Sequence, residues 1–168
     1  MKPGHSFAAR GGACNRGFTL VEMVVTVALV GILASALLPI TELTAQRMRE
    51  QELRLALRQI RGAIDAYKVA YDAGRIERKV DVTGYPPSLA VLADGVADSL
   101  DPTHAKIRFL RRLPRDPLHP DPAVPVADSW GKRSYASQPD EPREGADVFD
   151  VYSRAEGVGL NGVPYSEW

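Results

Sequence analysis

An almost unbroken apolar stretch near the start of the 168-residue chain constrains its fold more than any other feature. It runs from Gly17 to Ile40 as GFTLVEMVVTVALVGILASALLPI, and 23 of these residues follow Gly17. Because about 20 apolar residues in a helix cross the hydrocarbon core of a bilayer, residues 18–40 are predicted to form a transmembrane helix. Glu22 is the one charged residue in it, and a carboxylate in hydrocarbon costs about 2.5–3.5 kcal/mol. We therefore expect Glu22 to have a cationic partner.

Two other interpretations of the apolar stretch stay open. An ordinary secretory signal would use the basic residues Lys2, Arg10 and Arg16 and a cut after the A-x-A sequence at residues 34–36. A plain single-pass anchor would carry Glu22 by accident. A carboxylate near the start of the stretch is unusual in a secretory signal, and the stretch is longer than a normal signal core.

Helical periodicity continues beyond the apolar stretch into a more polar segment. Apolar residues recur there at steps of three and four, which places them on one face of a helix. These residues are Leu53, Leu57, Ile60, Ile64, Tyr67 and Tyr71. Gly74 is the predicted end of the helix. Pro39 lacks an N–H group and clashes with the preceding turn, so a helix kink is predicted at this residue.

The remaining residues, 74–168, are predicted to form a small head. A turn at GYPP is followed by a short helix that begins near Ser88. Seven prolines fall within residues 114–142, which excludes long regular structure there. Residues 132–138 and 146–153 are predicted to be two strands joined by a loop. The predicted fold class is therefore α+β, with a long amino-terminal helix packed on a small head that contains antiparallel strands.

No group of residues in the chain predicts an enzyme. Residues 157–162 match G-x-G-x-x-G, but only six residues follow, too few for the helix that a dinucleotide site requires. His5, His104 and His119 lack zinc-ligand spacing, and no G-x-S-x-G sequence is present. The 21 basic and 21 acidic residues give no net charge, and nothing indicates nucleic-acid binding.

The polar leader that ends in Gly17, together with Phe18, Thr19, Glu22 and the apolar helix, resembles the processing site of type IV prepilins and type II secretion pseudopilins. The resemblance implies that a prepilin peptidase cuts between Gly17 and Phe18 and methylates the new amino terminus of Phe18. It also implies that Glu22 neutralises the amine of Phe18 in a neighbouring copy during filament assembly. The implied segments are a leader (1–17), a transmembrane and polymerisation helix (18–40), the amphipathic half of the same helix (41–73) and a periplasmic head (74–168).

The head resembles the major pseudopilin of type II secretion more narrowly. The sequences YPPSL, RRLPRDP, DSWGKRSY and FDVYS follow one another in the order of that family. A glycine-rich tail, residues 153–168, comes after them. The one cysteine, Cys14, lies in the leader, whereas many type IV pilins resemble one another in having a disulfide-closed loop. The resemblance implies a homopolymer filament in the periplasm, anchored in the bacterial inner membrane with its amino terminus cytoplasmic. Minor pseudopilins, the prepilin peptidase and an inner-membrane assembly platform are the implied partners.

The tail departs from the family in its acidic residues. The family resemblance implies several aspartates that bind calcium, whereas this tail offers only Glu156, Asn161 and Glu167. Calcium takes six to eight oxygen ligands, several of them carboxylates. We therefore expect no cofactor, with these three residues as the calcium candidates, and a tail held by the packing of Tyr165 and Trp168.

Two alternative functions stay open from the sequence. A minor pilin of a type IV pilus or a DNA-uptake machine would share the same amino-terminal motif and helix. A membrane-anchored periplasmic binding or enzymatic domain belongs to a different class. It would be active from residues 41–168 alone and would not need Glu22.

Overall fold

The computed structural model describes residues 17–78 and 82–168, apart from the side chains of residues 36–41. The chain divides into two compact units, Met1–Glu42 and Leu43–Trp168. The elements in chain order are helix α1 (Leu20–Asp72), helix α2 (Ala90–Asp94), strands β1 (Val96–Ala97) and β2 (Lys106–Ile107), a 3₁₀ turn (Val126–Asp128), strands β3 (Trp130–Arg133) and β4 (Asp150–Ser153), and a second 3₁₀ turn (Tyr165–Glu167).

Helix α1 begins at Leu20, two residues later than the sequence predicts. The reason is a side-chain cap, because the hydroxyl of Thr19 accepts a hydrogen bond from the backbone N–H of Glu22 at 3.2 Å. Pro39 belongs to α1. The kink predicted at this residue lies outside the residues whose side chains the structure describes. Within the described part of the chain, no helix combines the length and the apolar character that a membrane span requires.

Gly74 determines where α1 ends. Gly74 has φ +74°, in the left-handed region that favours residues without a Cβ atom. The N–H of Gly74 donates to the carbonyl of Tyr71, and the N–H of Arg75 donates to the carbonyl of Ala70, both at 3.0 Å. These two bonds form a Schellman motif, which satisfies carbonyls that the end of a helix otherwise leaves free.

The head core lies against the apolar face of α1. The residues of that face are buried as predicted, except Tyr71, which is partly buried and packs against the core. The buried face comprises Leu53, Leu57, Ile60, Ile64 and Tyr67. Its buried partners from the head comprise Leu89, Leu92, Trp130, Val148, Val151 and Tyr165. Burial of this stripe is what joins the second half of α1 to the head, since each large apolar side chain gains about 1.5–3 kcal/mol on leaving water.

In the described residues, two short antiparallel strand pairs form the β-sheets. Strand β3 pairs with β4, with Trp130 opposite Ser153 and Arg133 opposite Asp150, and β1 pairs with β2. Strand β3 begins two residues before the predicted strand over 132–138 and ends at Arg133, and β4 occupies only the second half of the predicted strand over 146–153. The ladder stops because the N–H of Ser134 donates to the carbonyl of Arg143 and a turn begins there. The pair β1–β2 was not predicted, since two residues in each strand carry no periodic signal.

Asp98 ties the chain after β1 to the end of α1. Its carboxylate accepts hydrogen bonds from the Arg75 side chain, with Nε at 3.0 Å, and from the N–H of Leu100. The bond from Arg75, followed by the bond from Leu100, holds the pKa of Asp98 below its usual value.

The lowered pKa of Asp98 predicts a loss of stability in acid. A carboxyl group with a lowered pKa stabilises the folded state above its unfolded pKa, and this contribution disappears as the pH falls through the folded pKa. The melting temperature of the full chain in detergent should therefore fall below about pH 4. In Asp98→Asn the melting temperature should be lower at pH 6 and should fall less steeply in acid. Parallel acid profiles for the two proteins would contradict this assignment.

Candidate functional site

The predicted cleavage bond lies in accessible chain next to α1. Gly17, Phe18 and Thr19 belong to no helix or strand, and the side chain of Phe18 is 74% exposed. Apart from its chain neighbours, no described residue has an atom within 4 Å of the place that a Cβ atom on Gly17 would occupy. The segment therefore has the open, non-helical form that a peptidase needs to accommodate a scissile bond.

Glu22 lies in the first turn of α1, three residues after the cap residue Thr19. This T-x-x-E spacing is that of a capping box, in which the amino terminus of the helix favours a negative charge. Among the described residues Glu22 makes no ion pair. Sequence reasoning considered a neighbouring amine but missed the capping position, although the T-x-x-E spacing is visible in the sequence.

The three calcium candidates do not form a carboxylate cluster. The side-chain oxygen of Asn161 accepts a hydrogen bond from the N–H of Val163 at 3.2 Å, inside its own turn. Glu156 and Glu167 are exposed. In the described ranges no three His, Cys, Asp or Glu side chains are placed to hold a metal ion. Two exposed carboxylates and one engaged amide do not fit the ligand set of a calcium loop.

The tail instead contacts charged side chains of α1 that the sequence did not single out for this role. Arg61 donates from Nη2 to the carbonyl of Trp168 at 2.6 Å and to the carbonyl of Val151 at 3.0 Å. Its Nε donates to the carboxylate of Asp150 at 2.7 Å. The guanidinium of Arg54 lies 4.2 Å from the ring centroid of Trp168. Arg61 thus joins the last residue, strand β4 and α1 in one polar cluster.

The processing motif, the long helix and the small antiparallel head together define a pilin-like subunit. Residues 12–38 match the family model described as the prokaryotic N-terminal methylation motif. Over 156 residues the chain is 30% identical to the type II secretion system core protein G of Klebsiella pneumoniae, covering 90% of this chain and 89% of that protein. No solved structure matches the chain. The chain belongs to the family of type II secretion system core protein G, the major pseudopilins.

The family membership confirms three of the sequence predictions. The sequence predicts the pseudopilin family, the α+β pilin-like fold class and the pseudopilin function, and all three agree with the family to which the chain belongs. As a pseudopilin the chain takes part in pseudopilus assembly with other components of type II secretion.

Proposed function

We propose that the chain is cut between Gly17 and Phe18, methylated at Phe18 and assembled into a periplasmic pseudopilus, without a catalytic role of its own. The observation that carries the proposal is the match of residues 12–38 to the methylation motif. The open segment before α1 supports it, because the scissile bond is free of regular structure. Before assembly the subunit stays in the bacterial inner membrane through residues 18–40, with its head in the periplasm.

Charge compensation explains how cleavage leads to assembly. Cleavage creates an amine at Phe18, and this cation and the carboxylate of Glu22 are both costly in hydrocarbon. Within one copy, Glu22 lies in the first helical turn and has no ion pair among the described residues. Pairing of the amine with Glu22 of a neighbouring copy compensates both charges and sets the axial register of the filament. Minor pseudopilins and an inner-membrane assembly platform are the further proposed partners.

The processing step can be tested by coexpression with a prepilin peptidase. Intact mass spectrometry should show a mature chain that begins at Phe18. Its mass should exceed that of the unmethylated chain from Phe18 by the mass that one methylation adds. Gly17→Val should block the cut, because a branched side chain occupies the space that glycine leaves free for the peptidase. Gly31→Val is the matched control, since Gly31 also has open space around it and lies away from the cut. A mature chain that begins at Leu37 would establish the secretory-signal interpretation instead.

A further inference from the structure

The buried carboxylate of Glu50 lies where the tail meets α1. Glu50 is 2% exposed. Its Oε1 atom accepts hydrogen bonds from the N–H of Leu160 at 2.8 Å, from the hydroxyl of Tyr165 at 3.1 Å and from the amide of Gln46 at 3.1 Å. The guanidinium of Arg54 is 3.8 Å from the other oxygen. Two of these four partners therefore belong to the tail.

The burial of Glu50 depends on the tail. A buried charge is costly unless hydrogen-bond donors or an opposite charge compensate it. Removing one of these partners leaves the buried charge partly uncompensated, which destabilises the fold. Without the tail, Glu50 would keep only Gln46 and the partly exposed Arg54. Burial raises the pKa of the Tyr165 hydroxyl, so this group remains a donor well above neutral pH. The carboxylate and the tail donors thus stabilise each other.

We infer that Glu50 is the anchor of the tail in this chain, and that the tail holds its fold through this helix carboxylate and without a calcium ion. In a calcium loop, a cation gathers carboxylates that the loop itself supplies. Here the arrangement is reversed, because one carboxylate on α1 gathers an N–H and a hydroxyl from the tail. Arg61 adds a second attachment at the carbonyl of Trp168. The inference concerns the fold within one copy and is independent of the proposed assembly function.

Fluorescence quenching of the full chain in detergent gives a direct measure of the tail. The chain has two tryptophans, and Trp130 is fully buried, so acrylamide quenching reports mainly on Trp168. Wild-type protein should give the same quenching constant and the same melting curve in millimolar calcium and in excess chelator. Glu50→Ala should raise the quenching constant roughly twofold or more, since the tail then opens locally. Glu52→Ala is the matched control, because Glu52 is an exposed acid on the same helix.

Two milder variants keep the test decisive if Glu50→Ala fails to fold. Glu50→Gln retains an acceptor oxygen without the charge, and Tyr165→Phe removes one donor while keeping the ring that packs at 5.2 Å on Trp168. Both should raise the quenching constant less than Glu50→Ala, with unchanged far-ultraviolet circular dichroism. Wild-type quenching in both variants would overturn the anchor role of Glu50. A calcium-dependent rise in the wild-type melting temperature, or a fall in its quenching, would overturn the metal-free tail.

Discussion

Glu22→Ala should abolish filament assembly while the processed subunit still accumulates in the membrane. The substitution removes a charge that is costly in hydrocarbon, so insertion of the monomer becomes easier. It also leaves the amine of a neighbouring Phe18 without a counter-charge, at a cost of about 2.5–3.5 kcal/mol for each contact. Since each 1.4 kcal/mol is a factor of ten in an equilibrium constant, the equilibrium constant for adding each subunit should fall about a hundredfold. Loss of the favourable charge at the helix amino terminus contributes only about 0.3–1 kcal/mol, too little to unfold α1.

The measurement is electron microscopy of sheared filaments, with membrane fractionation of the subunit. Glu42→Ala is the matched control, because it removes the same group from α1 outside the apolar stretch. The control should form filaments at the wild-type level. Normal filaments from Glu22→Ala would show that the proposed pairing of Glu22 with the Phe18 amine is not required. Failure of the wild-type chain to be processed or to form any filament would contradict the proposed function as a whole.

Trp130→Ala should strongly destabilise the head. Trp130 is completely buried in β3, and its indole N–H donates to the carbonyl of Pro114 at 2.8 Å. Truncation of a buried tryptophan costs about 3–5 kcal/mol, and the unpaired carbonyl adds about 1–3 kcal/mol. Small domains are stable by only about 5–15 kcal/mol, so the head should be close to unfolding at room temperature. The melting temperature should fall by roughly 15–30 °C.

Calorimetry of the full chain in detergent would measure this loss. Leu100→Ala provides the control, since Leu100 is a large apolar residue that is 68% exposed. Its removal should change the melting temperature by no more than a few degrees, as expected for a surface position. A melting temperature for Trp130→Ala within a few degrees of wild type would mean that the core does not depend on Trp130.

The long helix could be predicted because its signals are local. The apolar stretch and the spacing of three and four between apolar residues show where α1 lies and which face it buries. Its first residue was misplaced by two positions because Thr19 caps the helix. The T-x-x-E sequence at Thr19–Glu22 carries that information, and it is a local signal of the same kind.

The head and the tail depend on contacts between distant parts of the sequence. Strand β3 ends early because Ser134 pairs with Arg143, and because Asp147 accepts hydrogen bonds from the N–H of Tyr135 and the hydroxyl of Thr83. Glu50 and Leu160 are 110 positions apart. No periodicity or motif connects such residues, so a buried glutamate on α1 looks in the sequence like any exposed acid of an amphipathic helix.

The position of the Glu50 partners sets an order for folding. Leu160 and Tyr165 belong to the last nine residues, whereas Glu50 lies in the first third of the chain. A chain that leaves the ribosome amino terminus first therefore holds Glu50 without its tail donors until residues 160–165 have been made. Contacts between such distant positions form slowly, because a long loop must close, at a cost in conformational entropy, before the contacts can stabilise it. Closure of the head therefore waits for residues 160–165, and a chain interrupted before them would keep a loose head and remain a target for proteolysis.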